Sequence, residues 1–562
     1  MALRKATFIF IIITATIVAA PFMLTVAGDA QVHLAIAENF GRGLPFQYNP
    51  GGEIVVASTS PFWTILLILF YMISGSWAPL FLKVAVSIAW LAVAYLLYKA
   101  SRDLWHFSPW LILVTLALWL THTVVVANAL SGLENILSAV QLLLLYLLTA
   151  EFGPRLTPKR SALLGLLFGW MILTRPDGAL LAIVLLSNFA LVLILNAQHN
   201  RMGVSAAFRK WLPLLAVFIF ATLIVLLPWY LYQWSITGKI ITDSSLARLY
   251  SGRQGSIPLG SLFFHPKATI SLATAFLPLA AGALLFGFHL LRQFFQAGQR
   301  ARFWIDNYAR TTALLLLSAG YHFYSFIVGA ESFGRYFLPL YPYLFLSGIA
   351  GLALLFDWLR GRWLWVAYAF VVGTILFMVT ASTYDFYRRL GPGRFDPEQV
   401  LDVIYGPAHL QYYSPNLWDL IQAPARRQSY TDELIAGLEL TSNTASIAVT
   451  EVQLRYFLDE RVEILSLDGR TSANTLTYFD PKTGVPDFDA FLRSTQPDYI
   501  HVNQWCAVGG WLASFRPALL EDNLICHWQQ QSSDLSLGEQ FTWEGHKLTL
   551  VAPEIIHIDW ES

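Results

Sequence analysis

The sequence predicts a polytopic α-helical membrane protein with about eleven transmembrane helices and a C-terminal soluble α/β domain. Three observations predict it. The 562 residues are 56% hydrophobic and only 13% charged, against roughly 45–50% and 25% in soluble globular chains. Mean hydropathy is +0.53, and long apolar runs start near residues 6, 62, 79, 109, 136, 162, 178, 212, 271, 312, 337 and 364. The charge is also divided. Residues 1–383 hold 24 Lys/Arg and 11 Asp/Glu, whereas residues 384–562 hold 12 and 25. The first part reads as a membrane body and the second as an acidic soluble domain. Disordered, collagenous and disulfide-scaffold chains are excluded, as is an ordinary cytosolic enzyme. With 36 Lys/Arg against 36 Asp/Glu, a basic nucleic-acid binder is excluded too.

The elements of the membrane body follow in order. The run at 6–27, behind Arg4 and Lys5, exceeds the 7–15-residue apolar core of a signal peptide. It reads as the first membrane helix. A spanning helix needs roughly 17–25 apolar residues, so the shorter runs imply tilted or broken helices. Basic linkers set the orientation, because Lys and Arg stay cytoplasmic. These are Arg4/Lys5, Lys99/Arg102, Arg155/Lys159/Arg160, Arg201/Arg209/Lys210, Arg292/Arg300/Arg302/Arg310 and Arg360/Arg362. With the N-terminus cytoplasmic, the opposite face receives 28–60, 128–135, 174–178, 233–270, 330–336 and the tail. Eleven crossings result if 62–98 crosses once, and twelve if the runs from 62 and 79 each cross. Eleven keeps the tail outside and fits the charge pattern.

Seven acids collect on that outer face: Asp29, Glu38, Glu53, Glu134, Asp177, Asp243 and Glu331. So do Arg42, Arg175, Lys239, Arg248, Arg253, Lys267 and Arg335. Ionisable groups at membrane depth are costly and are functional candidates by default. Plain readings stand beside that one. Glu53, Arg253 and Lys267 suit solvated loops. Arg175 and Asp177, in LTRPDG (173–178), suit a pair that caps a helix. Asp29 suits a helix N-cap.

The stretch GDAQVHLAIAENFGRGLPFQYNPGGEIVVASTSPFW (28–63) resembles the first external loop of GT-C-class glycosyltransferases, which use polyprenyl-phosphate sugars. The likeness is strongest to the mycobacterial terminal arabinofuranosyltransferases. SGLENIL (131–137), LTRPDG (173–178), ITGKIITDSSLARLY (236–250) and GRYFLPLYP (334–342) resemble further motifs of that family in the same order. The likeness covers roughly residues 1–385. It divides the chain into a glycosyltransferase module, 1–383, with an external catalytic loop at 28–60, and an extracytoplasmic domain, 384–562. Where relatives carry two adjacent acids after the first helix, this sequence has Gly28-Asp29, so no metal or other cofactor is expected. Arg248 stands where the family suggests Lys, and Arg differs by binding phosphate as a bidentate fork.

The resemblance implies transfer of a sugar, arabinofuranose first and mannose or another hexose as the alternative. The donor is a polyprenyl phosphate, and the acceptor is a hydroxyl of a glycan or glycoconjugate at the outer face of the cytoplasmic membrane. The phosphate leaves readily, so it needs cations rather than an acid. The acceptor hydroxyl needs one base. Paired carboxylates of the glycoside-hydrolase kind are not required. Asp29 is the expected base. Arg175, Arg248, Arg335 and Lys239 are the candidates for the donor phosphate. Glu134 and Asp177 are candidates for sugar hydroxyls. His33, one turn after Asp29 on the same face if the segment is helical, is a candidate for orienting it or touching the acceptor. Among the aromatics, Tyr48, Trp63, Tyr336 and Tyr341 sit beside the motifs as stacking candidates.

Beyond residue 383, IAV (447–449), VEILSL (462–467) and DYIHV (498–502) read as short strands, with helices over 451–459 and 486–495. That alternation predicts a parallel layer. FTWEGHKLTLVAPE (541–554) reads as a late hairpin or edge strand. Cys506 and Cys526, the only cysteines, suit a disulfide in an oxidising compartment. Two other classes fit less well. A transporter or flippase of lipid-linked saccharides would show internal repeats or charges near the midplane. A cell-envelope scaffold leaves the gathered carboxylates and arginines without a purpose.

Overall fold

The computed structural model describes residues 2–24, 26–153, 155–200, 204–246, 266–327, 333–358 and 373. Towards the C-terminus it describes 417–437, 445–449, 455–456, 458–467, 473–478, 487–501, 528, 536, 538–552 and 555–560. In chain order the helices are α1 (Ala2–Met23), α2 (Gly28–Gly41), α3 (Pro61–Ser74), α4 (Ala78–Lys99), α5 (Pro109–Thr121), α6 (Thr123–Ala129), α7 (Asn135–Phe152), α8 (Pro158–Thr174), α9 (Pro176–His199) and α10 (Val204–Thr237). Then come α11 (Pro266–Gln296), α12 (Arg300–Asp306), α13 (Tyr308–Ile327), the single turn α14 (Phe333–Tyr336), α15 (Tyr341–Trp358), α16 (Leu417–Gly437) and α17 (Phe488–Thr495). Among the described residues six helical stretches are long and apolar enough to cross a membrane, or seven if the bent pair α5–α6 is one span. The chain is an integral membrane protein. The apolar run near 364 lies outside the described residues. The 14-residue α3 is about 21 Å long at 1.5 Å per residue, short of a hydrocarbon core of about 30 Å. The 22-residue α4 reaches across.

The chain folds as two compact units, each assembled from separated segments. One comprises Met1–Ala27, Phe81–Trp229 and Pro258–Leu417. Its helices approach closely wherever side chains are small, as lipid-embedded helices must. A Cβ on Gly351 would strike the carbonyl of Gly282, and one on Gly165 would strike that of Phe218. Two helix breaks lie against each other. His122 separates α5 from α6, which bend by 59°. Its ring stacks on Phe276 at 4.2 Å and 8°. Phe276 interrupts α11 two residues before Pro278, which cannot donate to the helix ladder.

The other unit comprises Gly28–Leu80, Tyr230–Ile257 and Trp418–Ser562. Its strands are β1 (Ala445–Val449), β2 (Val462–Ser466), β3 (Tyr499–His501), β4 (Gln540–Trp543), β5 (His546–Ala552) and β6 (Ile555–Asp559). They form one sheet in the order β2-β1-β3-β6-β5-β4. The first three are parallel, with Ile447 opposite Ile464 and Tyr499, and the rest antiparallel. The three predicted strands are therefore β1, β2 and β3, the predicted helix at 486–495 is α17, and 541–554 supplies the β4–β5 hairpin. Its turn residues, Glu544 and Gly545, have φ of 49° and 95°, the left-handed pair of a tight hairpin. The helix predicted over 451–459 lies largely outside the described residues. Ala448, Phe491, Leu492, Ile500, Trp528, Leu548 and Ile556 form the core of this sheet.

Candidate functional site

The first unit gathers Glu134, Arg175 and Asp177. A residue before proline is pushed out of the helical region, so α8 stops at Thr174 and Pro176 begins α9. Arg175 stands at that break and its side chain belongs to neither helix. Its Nε and Nη2 donate to the two oxygens of Asp177, at 2.9 and 2.6 Å. Its Nη1 donates to Glu134 at 3.1 Å and to the side-chain oxygen of Asn135. Four of the five guanidinium N–H donors are thus used. Arg175 also lies over the Tyr336 ring at 4.6 Å, and Arg335 lies over the same ring at 5.0 Å. Tyr324, fully buried, packs beside Tyr336 and feels the charges of Asp177 and Arg175.

The same unit holds Lys83, absent from the basic linkers because it sits inside an apolar run. It is fully buried. Its ammonium donates to the carbonyl of Phe22, at 2.8 Å, and to that of Leu130. Phe22 is in the last turn of α1 and Leu130 caps α6. A cation there takes orphan carbonyls at the negative ends of two helices. The Ala27 amide donates to Ser131 at 2.8 Å, a second tie to the turn that carries Glu134.

In the other unit α2 carries Asp29, partly exposed, in its first turn rather than at the N-cap. Because α2 is helical throughout, His33 shares its face. His33 Nδ1 is 3.3 Å from Ser58 Oγ. That hydroxyl also accepts from the Ser60 amide and lies 2.8 Å from Thr64 Oγ1. Gln31 is fully buried, and neither carboxamide atom meets a hydrogen-bond partner among the described residues.

The loop after α2 is held by side chains. Asn39 Nδ2 donates to the carbonyls of Gln47 and Tyr48. Tyr48 is buried, 1% exposed, so its ring is part of the packing. Asn49 pairs its carboxamide with both main-chain groups of Ile464, at 2.9 and 3.2 Å. It thereby completes the open edge of β2. Asp243 is buried. It accepts from the Val56 amide and from Lys239 Nζ, both at 2.8 Å. Glu38 takes a bidentate pair from Arg427, at 2.6 and 2.5 Å, and a second ion pair from Arg42. Arg248, Glu331, Cys506 and Cys526 lie outside the described residues. Among the described residues no group of three His, Cys, Asp or Glu converges as a metal site would.

No protein-family model and no curated protein sequence matches the chain. Its fold is similar to ArnT from Cupriavidus metallidurans in the crystal structure bound to undecaprenyl phosphate. That likeness covers 90% of this chain and 94% of that one, with 14% identity and a TM-score of 0.50. The apo form of ArnT matches over 91% and 95% at 17% identity and a TM-score of 0.47. The Archaeoglobus fulgidus oligosaccharyltransferase, in its apo form, matches over 88% of this chain and 69% of that one, at 13% identity and a TM-score of 0.47. The chain has the GT-C type of membrane fold.

Within that fold the predicted residues fall into separate sets. Glu134, Arg175 and Asp177 meet directly, and Arg335 joins them across Tyr336. Asp29 and His33 share a helix face. Lys239 is committed to Asp243. Sequence reasoning missed Lys83, Gln31, Asn135 and Arg427. A lone lysine in an apolar run was a signal for the first. The others are ordinary until their burial is known.

Proposed function

We propose that this chain is a membrane glycosyltransferase that moves a sugar from a polyprenyl-phosphate donor to a hydroxyl of an acceptor glycan. The observation that carries the reading is its fold, shared along almost the whole chain with a protein that holds undecaprenyl phosphate. A fold alone does not assign chemistry. The partly exposed carboxylate of Asp29, in the first turn after the first membrane helix, supplies the group the reaction needs.

Asp29 takes the proton of the acceptor hydroxyl as its oxygen attacks the anomeric carbon. The bond from that carbon to the phosphate oxygen breaks on the opposite face, and polyprenyl phosphate leaves with inversion. Arg335 and Arg248 neutralise the charge growing on the leaving group. Arg175 has little donor capacity left. Its part is to hold Glu134 and Asp177, whose remaining lone pairs suit sugar hydroxyls. The sequence resemblance makes arabinofuranose the first donor to try. The same reading puts the N-terminus in the cytoplasm and the C-terminal sheet outside.

The test is single-turnover transfer by purified protein, with polyprenyl-phosphate arabinofuranose, mannose and other hexoses as donors. Wild type is expected to release polyprenyl phosphate, and Asp29→Asn to be about 10²–10⁴-fold slower. Equal rates would remove Asp29 from the reaction and turn attention to Glu134 and Asp177. No transfer from any donor, by protein that binds undecaprenyl phosphate, would favour a carrier of lipid-linked saccharides.

A further inference from the structure

The second unit contains a cavity of about 450 Å³, within the size range of small-molecule sites. Arg42, Arg427, Arg455 and Arg461 line it, with Glu38 and Asp459 among the acids. The acids do not balance the cations evenly. Glu38 alone serves both Arg42 and Arg427. Asp459 is committed to Arg461, which also meets Asp432. Arg455 is 5% exposed, and its Nη groups donate to the carbonyls of Val462 and Leu458. Those bonds orient the guanidinium and leave its charge in place. No carboxylate among the described residues forms an ion pair with it.

A buried cation without a counter-ion is costly unless something supplies the negative charge. Burial and the nearby Arg427 both work against the charged form of Arg455 and lower its pKa, with Asp459 and the exposed Glu460 opposing them from a distance. Arg42 and Arg427 share the ion pair of Glu38, Arg455 has none among the described residues, and the exposed Glu460 is the one further acid in the lining. These arginines offer N–H donors in fork geometry, which match the oxygens of a phosphate or carboxylate. The acids elsewhere in the lining suit hydroxyl donors.

We propose that this cavity binds an anionic saccharide, its phosphate or carboxylate held by Arg455 and Arg42 and its hydroxyls by the remaining polar lining. As a binding site it stands on its own geometry. As the subsite of an acidic acceptor it rests on the glycosyltransferase reading.

The experiment is calorimetric titration of the full-length protein in a non-ionic detergent free of sugar, with glucose 1-phosphate, glucuronate, glucose and inorganic phosphate. Glucose 1-phosphate, glucuronate or both are expected to bind, weakening with salt, and the stronger of the two identifies the anion. Glucose is expected not to bind. Arg455→Gln is expected to weaken binding about tenfold or more, the loss of one charge-assisted hydrogen bond. Because Arg455 also ties two carbonyls, Arg42→Gln serves as the second variant. Arg42 is exposed, so that protein is expected to keep its melting temperature while losing affinity. Equal binding of glucose would overturn the proposal, as would unchanged affinity in Arg42→Gln and Arg455→Gln. Inorganic phosphate binding as tightly as glucose 1-phosphate would overturn the saccharide part. Anion binding by protein that transfers no sugar would refute the glycosyltransferase reading and leave the site intact.

Discussion

Arg175 and Arg455 are both buried, at 6% and 5% exposure, and their surroundings treat them differently. Arg175 is surrounded by acceptors, two of them carboxylates. The cluster carries a net negative charge until Arg335, over the shared Tyr336 ring, is counted. Arg455 meets only main-chain carbonyls. The first cation is consumed in positioning two acids. The second keeps its charge available beside a cavity. Burial of an arginine therefore says little about its part until its partners are counted.

The largest way to break this comparison is Arg175→Met. It removes the ion-pair partner that the buried Glu134 and the half-buried Asp177 share, and about 3–5 kcal/mol of stability should be lost, read as a lower melting temperature in detergent. Arg455→Met orphans two carbonyls and no carboxylate, so the expected loss is smaller, about 1–3 kcal/mol. Equal losses would show that Arg455 has a counter-ion after all. Asn49→Ala opens the edge of β2 at Ile464 and should cost about 1 kcal/mol. Protection of the Ile464 amide from hydrogen exchange checks it directly.

The smallest effect is a pH dependence at Asp459. Burial opposes its charge, but the hydrogen bonds and charge of Arg461 hold its carboxyl below the usual range. A lowered folded value means the contribution is present above the unfolded value of about 3.9. It is lost as pH falls through the folded value. Wild type should exceed Asp459→Asn by about 0.2–1 kcal/mol near neutrality. The gap should close as pH falls through the folded value. A gap that stays constant with pH would detach the effect from ionisation.

Much of this was readable from residue order. The Arg-Pro dipeptide announces the break between α8 and α9, because proline acts on its immediate neighbour. The short strands β1, β2 and β3 show as apolar β-branched runs between turn residues. The motif around Asn49 was readable as a motif, yet its purpose was not. Asn49 docks on a strand 415 residues later. Glu38 counted only as one of seven outer-face acids, yet Arg427, 389 residues on, pairs with it. Tyr48 invited a stacking role that its burial gives to packing.

By itself, the sequence determined that the chain lives in a membrane and that an α/β sheet follows. These are properties of composition and of local period, which neighbouring residues fix among themselves. Only the tertiary structure decided which charges are spent on one another. To the Arg175–Asp177 pair that residue order already suggested it added Glu134, and it gave Lys83 to two helix ends and Glu38 to Arg427. It left Arg455 with carbonyls alone. Such pairings depend on closing loops of 41 to 389 residues and on which groups lose their water in the process. Neither is written in the spacing of side chains along the chain.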